Sequence, residues 1–386
     1  MKSRERVMLT LSHQEPDRIP IDLGATIVSS IAKNAYVELK NYLGIPLEPV
    51  RLLDHIQQLP YIDEVLLDLF GVDLRMICLP PAAAPTPDIF EEGGNYAFVD
   101  RWGSKLHMPK EGGLYFDWVD FAIQESTMSA LENYDLPQPD PPEYTARLCQ
   151  QAQYLFEKTD YALVGSAIFG GGIFEQALRI RGMQNFLMAL LDEPEFADRL
   201  MERVTDVYVE SCNNYLDALG EYLHVFLYFD DVCGQDGWLI SPDLYRKMIK
   251  PKQRRLVEAV KQKTNARVFY HGCGAVYALI PDLIEIGIDI INPVQVSARG
   301  MDTRQLKKEF GKDIVFWGGG VDTQHVLPFG KPEQVADEVR RRIDDLAPGG
   351  GFVFAAVHNI QSFVPPQNIV TAFQTALEYG NYGRPP

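Results

Sequence analysis

Cysteine is scarce in this chain, with only five among 386 residues: Cys78, Cys149, Cys212, Cys233 and Cys273. They are scattered and show none of the regular spacings of a disulfide framework. The opening run MKSRERVMLTLSHQEPDR lacks the apolar core that defines a signal peptide. We therefore expect a cytoplasmic protein without disulfide bonds.

Positive charge is also in short supply, because 36 Lys and Arg residues face 53 Asp and Glu residues, for a net charge of −17. Nucleic acids and anionic membranes bind clustered Lys and Arg, so neither is the expected partner. No apolar run in the sequence approaches the roughly 20 residues that cross a bilayer. A hydrophobic content of 46% is nevertheless enough to bury a large core. These properties favour a soluble, acidic enzyme.

From about residue 150 onward, short β-rich runs alternate with amphipathic helical segments. The β-rich runs are YALVGSAIFG, HVFLYFDD, ARVFYHGCG, IDIINPVQ, DIVFWGGG and GFVFAAVHN. Repeated strand–helix units with apolar strands predict a parallel sheet that is covered on both faces. Six units, with room for more upstream, favour an α/β fold with a single (β/α)8 TIM-type barrel spanning residues 1–386. A doubly wound open sheet is the alternative.

Residues 80–145 differ from the rest of the chain in amino-acid composition. Pro-rich and Gly-rich pieces flank two aromatic runs, YAFVDRWGSKLHMP and GLYFDWVDFAI, which are separated by KEGG. Two such runs around a Gly-containing turn predict a β-hairpin. We interpret this region as a hairpin-containing cap inserted in the barrel domain. Its aromatic residues Tyr115, Phe116 and Trp118 would cover a substrate, and ordinary packing explains them equally well.

Polar residues collect where the predicted strands end. Catalytic residues of a (β/α)8 barrel lie at the carboxyl ends of the strands, so these side chains would share one mouth. The set comprises Ser166, Asp230, Asp231, His271, Cys273, Asn292, Gln295, Asp322 and His358. Asp231 and Asp322 have an alternative role as caps of the following helices. His55, His107 and His224 have no partners in the sequence and are expected on the surface or in packing.

The run VFYHGCG places His271 and Cys273 one residue apart at a strand end. Side chains alternate along a strand, so these two point the same way and can bind one ion, unless the cysteine serves as a small core residue. His358, at another strand end, offers a third ligand. Two imidazoles and one thiolate suit zinc and leave a fourth position open for substrate. Three other strand-end residues would occupy or border that position: Asp230, Asn292 and Gln295.

Several stretches resemble the uroporphyrinogen decarboxylase superfamily. They are YFDDVCGQDGWLISPDLYRKMIKPKQRRLVEAVK, HGCG, FWGGGVDTQHVLPFGKPEQV and GGFVFAAVHNIQSFVPPQNI, together with the opening RERVMLTLSHQEPDRIPI. The His-x-Cys pair resembles the zinc- and corrinoid-dependent methyltransferases of that superfamily, which include methylcobamide:coenzyme M methyltransferases and O-demethylase methyltransferases. Their ligand pattern is His-x-Cys followed far downstream by Cys. His271 and Cys273 match this pattern directly, and His358 stands where the downstream Cys falls.

This resemblance implies an enzyme that moves a methyl group between a small methylated compound and the cobalt of a separate corrinoid protein. Zinc would be held by His271, Cys273 and His358. The corrinoid would come from a transient partner, because the chain lacks the Asp-x-His-x-x-Gly pattern of corrinoid proteins. Candidate proton carriers are Asp230 and Asp231. The residues expected to contact substrate are Ser166, Asn292, Gln295, Tyr115 and Trp118.

The ligand set also suggests a direction of transfer. Zn²⁺ with one thiolate and two neutral imidazoles keeps a formal charge of +1, whereas two thiolates would neutralise it. The stronger Lewis acid favours removal of a methyl group from a donor, and the aromatic cap makes a methoxylated aromatic the most concrete donor.

Three alternatives stay open. The first is a methylcobamide:thiol methyltransferase. The second is a uroporphyrinogen decarboxylase, which needs several Arg residues to hold eight carboxylates, whereas the run RIPIDLGATIVSSIAKNAY has only Lys33 after Arg18. The third is a barrel that binds a partner or ligand without catalysis.

Overall fold

The computed structural model describes residues 1–383. Its strands are β1 Leu52–Asp54, β2 Leu59–Pro60, β3 Leu74–Met76, β4 Phe90–Glu92, β5 Asn95–Val99, β6 Lys105–Pro109, β7 Asp117–Asp120, β8 Ala162–Gly165, β9 Val225–Phe229, β10 Cys233–Gly234, β11 Gly237–Trp238, β12 Arg267–His271, β13 Ile290–Asn292, β14 Val315–Trp317 and β15 Phe352–Val353. Its α-helices are α1 Ser3–Leu11, α2 Lys33–Leu43, α3 Glu64–Leu69, α4 Met128–Glu132, α5 Pro142–Lys158, α6 Ile173–Arg181, α7 Met183–Asp192, α8 Pro194–Leu219, α9 Pro242–Leu244, α10 Lys250–Lys263, α11 Ile280–Glu285, α12 Thr303–Phe310, α13 Val326–Phe329, α14 Pro332–Leu346 and α15 Pro366–Tyr379.

Seven of these strands form one parallel sheet in the order β3-β8-β9-β12-β13-β14-β15. It contains all six strands predicted from residue 150 onward. Every residue of β9, VFLYF, is buried, because in a barrel one face of the sheet meets the interior and the other meets the helices. The α/β barrel prediction is confirmed, and the doubly wound alternative is wrong.

The sheet is closed by a short extended segment near the N-terminus, residues 19–23, which the sequence did not predict as a strand. Ile21 pairs in parallel with Phe354, next to β15, and the N–H of Asp22 donates to the Phe354 carbonyl at 2.8 Å. On its other side, the N–H of Asp73, just before β3, donates to the Ile21 carbonyl at 2.9 Å. The segment therefore takes the place of an eighth strand.

Aromatic side chains fill the barrel interior and show which way β12 faces. The rings of Phe269 on β12 and Trp317 on β14 meet edge-on with centroids 5.1 Å apart, although β13 lies between their strands. Both rings must therefore lie inside the barrel. Because side chains alternate along a strand, His271, two residues beyond Phe269, also faces inward, at the carboxyl end of β12.

Beside the barrel lies a four-stranded antiparallel sheet in the order β4-β5-β6-β7. The turn KEGG joins β6 to β7, as predicted. The run YAFVDRWGSKLHMP holds two strands, β5 and β6, where one was expected, because the Asp100 carboxylate accepts the N–H groups of Trp102 and Ser104 and closes a tight turn. The bounds 80–145 for a cap stay a prediction.

Helices surround the barrel. The segment SPDLYRKMIKPKQRRLVEAVKQK forms α9, a π-helical turn and α10. The Ser241 hydroxyl accepts the N–H of Leu244, and Pro242 occupies the first turn, in agreement with the Ser-Pro start signal. No helix within residues 1–383 combines the length and apolar character needed to cross a membrane.

Candidate metal centre and its cavity

His271 is held at the end of β12 by an amide from the neighbouring strand. Its Nδ1 lies 2.6 Å from Oδ1 of Asn292, its register partner on β13. The Asn292 amide donates from Nδ2 to the Trp317 carbonyl at 3.0 Å, so Oδ1 is the atom left to face the ring. Burial lowers the pKa of His271 and favours the neutral ring. The ring proton therefore resides on Nδ1, and Nε2 keeps its lone pair.

Cys273 directs its sulfur at that lone pair. The distance from Sγ to Nε2 of His271 is 3.4 Å, and the Cys273 N–H donates to the Asp231 carboxylate at 2.7 Å. Gly274 turns the chain with a φ of +97°, and a Cβ there would lie 2.3 Å from the Gly234 carbonyl oxygen, so only glycine fits. Burial, reinforced by nearby carboxylates, raises the pKa of the Cys273 thiol well above its usual range. A thiolate at this position therefore needs a cation beside it.

His358 approaches from the loop after β15. Its ring centroid lies 5.3 Å from that of His271, in an edge-on arrangement. The N–H of Asn359 donates to Nδ1 of His358 at 2.8 Å, so the proton of the neutral ring sits on Nε2. Burial lowers the pKa of His358 to about 3. This imidazole is neutral over the physiological range, but it is oriented less favourably for a metal than His271.

The three side chains fit a zinc ion. One donor atom from each of His271, Cys273 and His358 lies within 4.8 Å of the others. Tetrahedral zinc, with bonds of roughly 2.0 Å to nitrogen and 2.3 Å to sulfur, spaces those two donors about 3.5 Å apart, close to the 3.4 Å observed here. His358 completes the set if its ring turns away from the Asn359 N–H.

The two adjacent aspartates after β9 have different surroundings. Asp231 lines the cavity, and burial together with the Glu175 charge raises its pKa to about 7. Asp230 is fully buried behind the cavity wall, where burial raises its pKa to about 6. Its carboxylate accepts hydrogen bonds from four groups: the N–H of Phe174, the N–H of Glu175, the Tyr228 hydroxyl and the Gln253 amide. Of the two candidate proton carriers, only Asp231 can reach a ligand.

Gly172 explains how Asp230 comes to cap α6. A Cβ at this position would lie 2.0 Å from the Phe229 carbonyl oxygen and 2.5 Å from the Asp230 Cβ. The absence of a side chain lets the first turn of α6 approach the end of β9 and place its free N–H groups on the Asp230 carboxylate.

The candidate ligands open into a cavity of about 570 Å³. Three of the residues expected to contact substrate line it: Ser166, Tyr115 and Trp118. Asn292 and Gln295 are not among the residues that line it. Asn292 is occupied with His271, and Oε1 of Gln295 accepts the N–H of Gly274 at 2.6 Å. Both amides support the His-Gly-Cys turn from behind.

The cavity wall also contains four charged residues that were not predicted from the sequence: Asp54, Asp117, Glu175 and Arg179. Arg179 forms an ion pair with Glu175, one turn away on α6, and its guanidinium lies 4.2 Å from the centroid of the Trp118 ring. The run FGGGIFEQALRI contained a signal for this pair. A helix that follows a strand end and a glycine turn begins at the mouth of the barrel, so the side chains of its first turns lie there. Asp54 and Asp117 carried no comparable signal.

The remaining polar candidates lie outside this cavity. Oδ1 of Asp322 accepts the N–H of Gln324 at 2.7 Å and Oδ2 lies 3.0 Å from Nδ1 of His325. Asp322 thus holds the turn before α13, whose N-cap is His325, and is not the cap of that helix. His107 pairs with Glu92 on the surface, and His224 Nδ1 accepts the N–H of Leu163 in packing.

Comparison with known proteins identifies the family. The profile of the family described as Uroporphyrinogen decarboxylase (URO-D) matches residues 100–379. The chain belongs to the URO-D family. The resemblance inferred from HGCG and its companion stretches is thus confirmed.

Relatives of this URO-D protein include enzymes of two kinds. A uroporphyrinogen decarboxylase from Syntrophotalea carbinolica is 27% identical over 214 residues, covering 52% of this chain and 55% of the relative. A methylated-thiol–coenzyme M methyltransferase from Methanosarcina mazei is 26% identical over 170 residues, covering 44% and 42%. The chain thus spans about half the length of these two relatives.

Among solved structures, a methyltransferase from Methanosarcina mazei superimposes with a TM-score of 0.65 at 15% identity, covering 98% of this chain and 99% of that one. The likeness shows a shared fold over nearly the whole chain.

Proposed function

We propose that this URO-D protein is a zinc-dependent methyltransferase that moves a methyl group between a small methylated compound and the cobalt of a separate corrinoid protein. The proposal depends above all on the cluster of His271, Cys273 and His358 facing an open cavity. Zinc held there would supply Lewis acidity to the atom that bears or receives the methyl group. Similarity to the methylated-thiol–coenzyme M methyltransferase supports the assignment.

The surrounding residues have complementary tasks in this proposal. Asn292 fixes the ring of His271, so that Nε2 is presented without a change of tautomer. Asp231, whose pKa of about 7 allows both protonation states near neutrality, can deliver a proton to a leaving oxygen or nitrogen. Tyr115 and Trp118 line the cavity and offer ring surfaces to the ligand.

The charge of the cavity argues against the decarboxylase alternative. A substrate with eight carboxylates requires several Arg or Lys side chains. Among the described residues, Arg179 is the one Arg or Lys that lines the cavity, and Glu175 already neutralises it. Arg18 is bound to Asp73 elsewhere, at 2.7 Å.

We also propose that the enzyme works on the donor side. A site with one thiolate and two imidazoles retains more positive charge than a site with two thiolates, and it therefore polarises a donor more strongly. A methoxylated aromatic is one donor that the cavity accommodates, because the rings of Tyr115, Trp118 and Phe229 line it.

Reconstitution tests this function. The zinc-loaded protein is mixed with a reduced corrinoid protein and a panel of methylated compounds, and methylation of the corrinoid is followed by its visible spectrum. We expect methylation only when zinc and the corrinoid protein are both present. Turnover with cobalamin alone would overturn the proposed partner. Methyl transfer to thiols, with no compound methylating the corrinoid protein, would reverse the proposed direction.

Replacing Asn292 with alanine should weaken zinc binding about 10- to 100-fold, the usual effect of removing an outer-shell partner of a metal ligand. Without the amide, the His271 ring loses its orientation and its fixed tautomer. Competition with a chromophoric chelator measures the affinity, and Asn41→Ala, on the exposed face of α2, is the matched control. Equal zinc affinity in the two variants would show that Asn292 does not orient His271.

A further inference from the structure

Beside the cavity of the candidate metal centre lies a second cavity of about 510 Å³. Five residues line both spaces: Asp117, Trp118, Glu175, Arg179 and Asp231. The two cavities are therefore neighbours that share one wall of side chains. A ligand bound at the metal centre faces this wall from one side, and the second cavity begins on the other.

The residues that line the second cavity alone are apolar. They are Phe121, Leu178, Met183, Cys233 and Leu239. Met183, the first residue of α7, is 50% exposed. Apolar surface in contact with water is unfavourable, and a ligand that covers it recovers part of that free energy. Because small-molecule sites commonly combine an apolar lining with a few polar groups, the second cavity suits an apolar part of a ligand.

Gly182, between α6 and α7, explains how the start of α7 and the segment after β7 come to share this lining. Its φ is +84°, and a Cβ at this position would lie 2.8 Å from an atom of the Phe121 ring, so glycine is required. The N–H of Ile123 donates to the Ile180 carbonyl at 3.1 Å, which ties the two segments together. The apolar lining is therefore fixed by the fold.

The shared wall, in contrast, includes side chains that can move without the backbone. Arg179 and Glu175 form an ion pair in which both side chains are 20% exposed. Side chains in contact with solvent change rotamer on the picosecond to nanosecond timescale. Trp118 is anchored by a hydrogen bond from Nε1 to Asp100 at 3.1 Å. Rotation of Arg179 and Glu175 would thus join the two cavities beside a fixed aromatic ring.

We propose that the methyl donor is an extended molecule with an apolar body, and that this body lies in the second cavity against Phe121, Leu178 and Met183. This inference rests on the proposed methyltransferase function and deepens it, because it specifies the part of the donor that is distant from the transferred methyl group. An oxygen or sulfur atom between the methyl group and the apolar body has lone pairs for zinc. A donor as small as methanol would leave the second cavity unused.

Two methoxyarenes that differ only in their apolar length test this inference. Methoxybenzene and 4-propylmethoxybenzene are titrated calorimetrically into the zinc-loaded protein without corrinoid. We expect the propyl compound to bind at least about tenfold more tightly, because each buried methylene contributes a factor of about four in affinity. Equal affinity of the two compounds, or no binding of either, would overturn the inference.

The variant Met183→Asp tests where the propyl group lies. A carboxylate in the second cavity should reduce the preference for the propyl compound about fivefold or more. Methoxybenzene should bind as before, which also shows that the variant is folded, and an acidic residue in the first turn of a helix is favourable. Met188→Asp is the matched control, because Met188 lies on the same helix, is 53% exposed and is not among the residues that line either cavity. The same loss in both variants, or an equal loss for both compounds, would rule out the second cavity as the site of the apolar body.

Addition of the reduced corrinoid protein separates this inference from the proposed function. Methylation of the corrinoid by each methoxyarene is followed by its visible spectrum. Faster methylation by the propyl compound at low concentration, with this advantage lost in Met183→Asp, supports both proposals. If the propyl compound binds more tightly through Met183 and neither compound methylates the corrinoid, the apolar site stands and the proposed function fails for these donors. If both compounds methylate the corrinoid and bind equally, the function stands and the inference fails.

Discussion

Replacing Cys273 with alanine is expected to abolish stoichiometric zinc binding and to lower methyl transfer at least about 100-fold. Cys273 is the sole thiol in the candidate ligand set, and loss of an outer-shell partner alone already costs 10- to 100-fold. His271→Ala should have a similar effect, because Nε2 of His271 and Sγ of Cys273 form the pair whose spacing suits a single ion. Elemental analysis of the purified proteins gives zinc per chain.

The matched control is Cys149→Ala, which removes a thiol far from the cavity that is hydrogen-bonded to the Ala218 carbonyl. This variant should keep its zinc. His358→Ala should lose less zinc than Cys273→Ala, because Nδ1 of His358 is engaged with the Asn359 N–H. Full zinc occupancy in both Cys273→Ala and His271→Ala would refute the metal centre.

The barrel could be predicted because its strands are buried on both faces and read as continuous apolar runs. The closing segment around Ile21 could not, since IPIDL contains a proline and only a few residues. Its role as an eighth strand depends on backbone contacts to Phe354 and Asp73, which lie far away in the sequence. Long-range closure of this kind leaves no local pattern.

The candidate site, like the barrel, could be predicted only in part from the sequence. The position of His271 at the end of β12, with Cys273 two residues later in the turn, was sufficient to predict that the two side chains meet. The position of a residue at a strand end could not show whether its polar side chain is already hydrogen-bonded to other parts of the protein. Asn292 is hydrogen-bonded to the imidazole of His271, and Asp230 accepts hydrogen bonds from the first turn of α6. Neither is therefore free for substrate. The sequence also could not show which of the adjacent Asp230 and Asp231 lines the cavity. That depends on the path of the chain after β9 ends at Phe229.

Replacing Asp73 with alanine should destabilise the protein by about 3–5 kcal/mol, the cost of leaving partly buried cations without their counter-ion. The Asp73 side chain is fully buried and lies 2.6 Å from Nη1 of Arg6 and 2.7 Å from Nη1 of Arg18. Its Oδ2 also accepts the N–H of Ile21 at 2.9 Å. One carboxylate thus joins α1, the closing segment and the start of β3.

Urea denaturation followed by circular dichroism measures the free energy of unfolding of the Asp73→Ala variant. Asp160→Ala is the matched control, because Asp160 pairs with Lys2 at 3.0 Å and both side chains are more than half exposed. An exposed pair of this kind contributes less than about 1 kcal/mol. If Asp73→Ala lowered stability no more than this control, the two arginines would have found other partners or water. The barrel would then be closed by the backbone pairing of residues 19–23 and by packing, and the buried carboxylate would not be required.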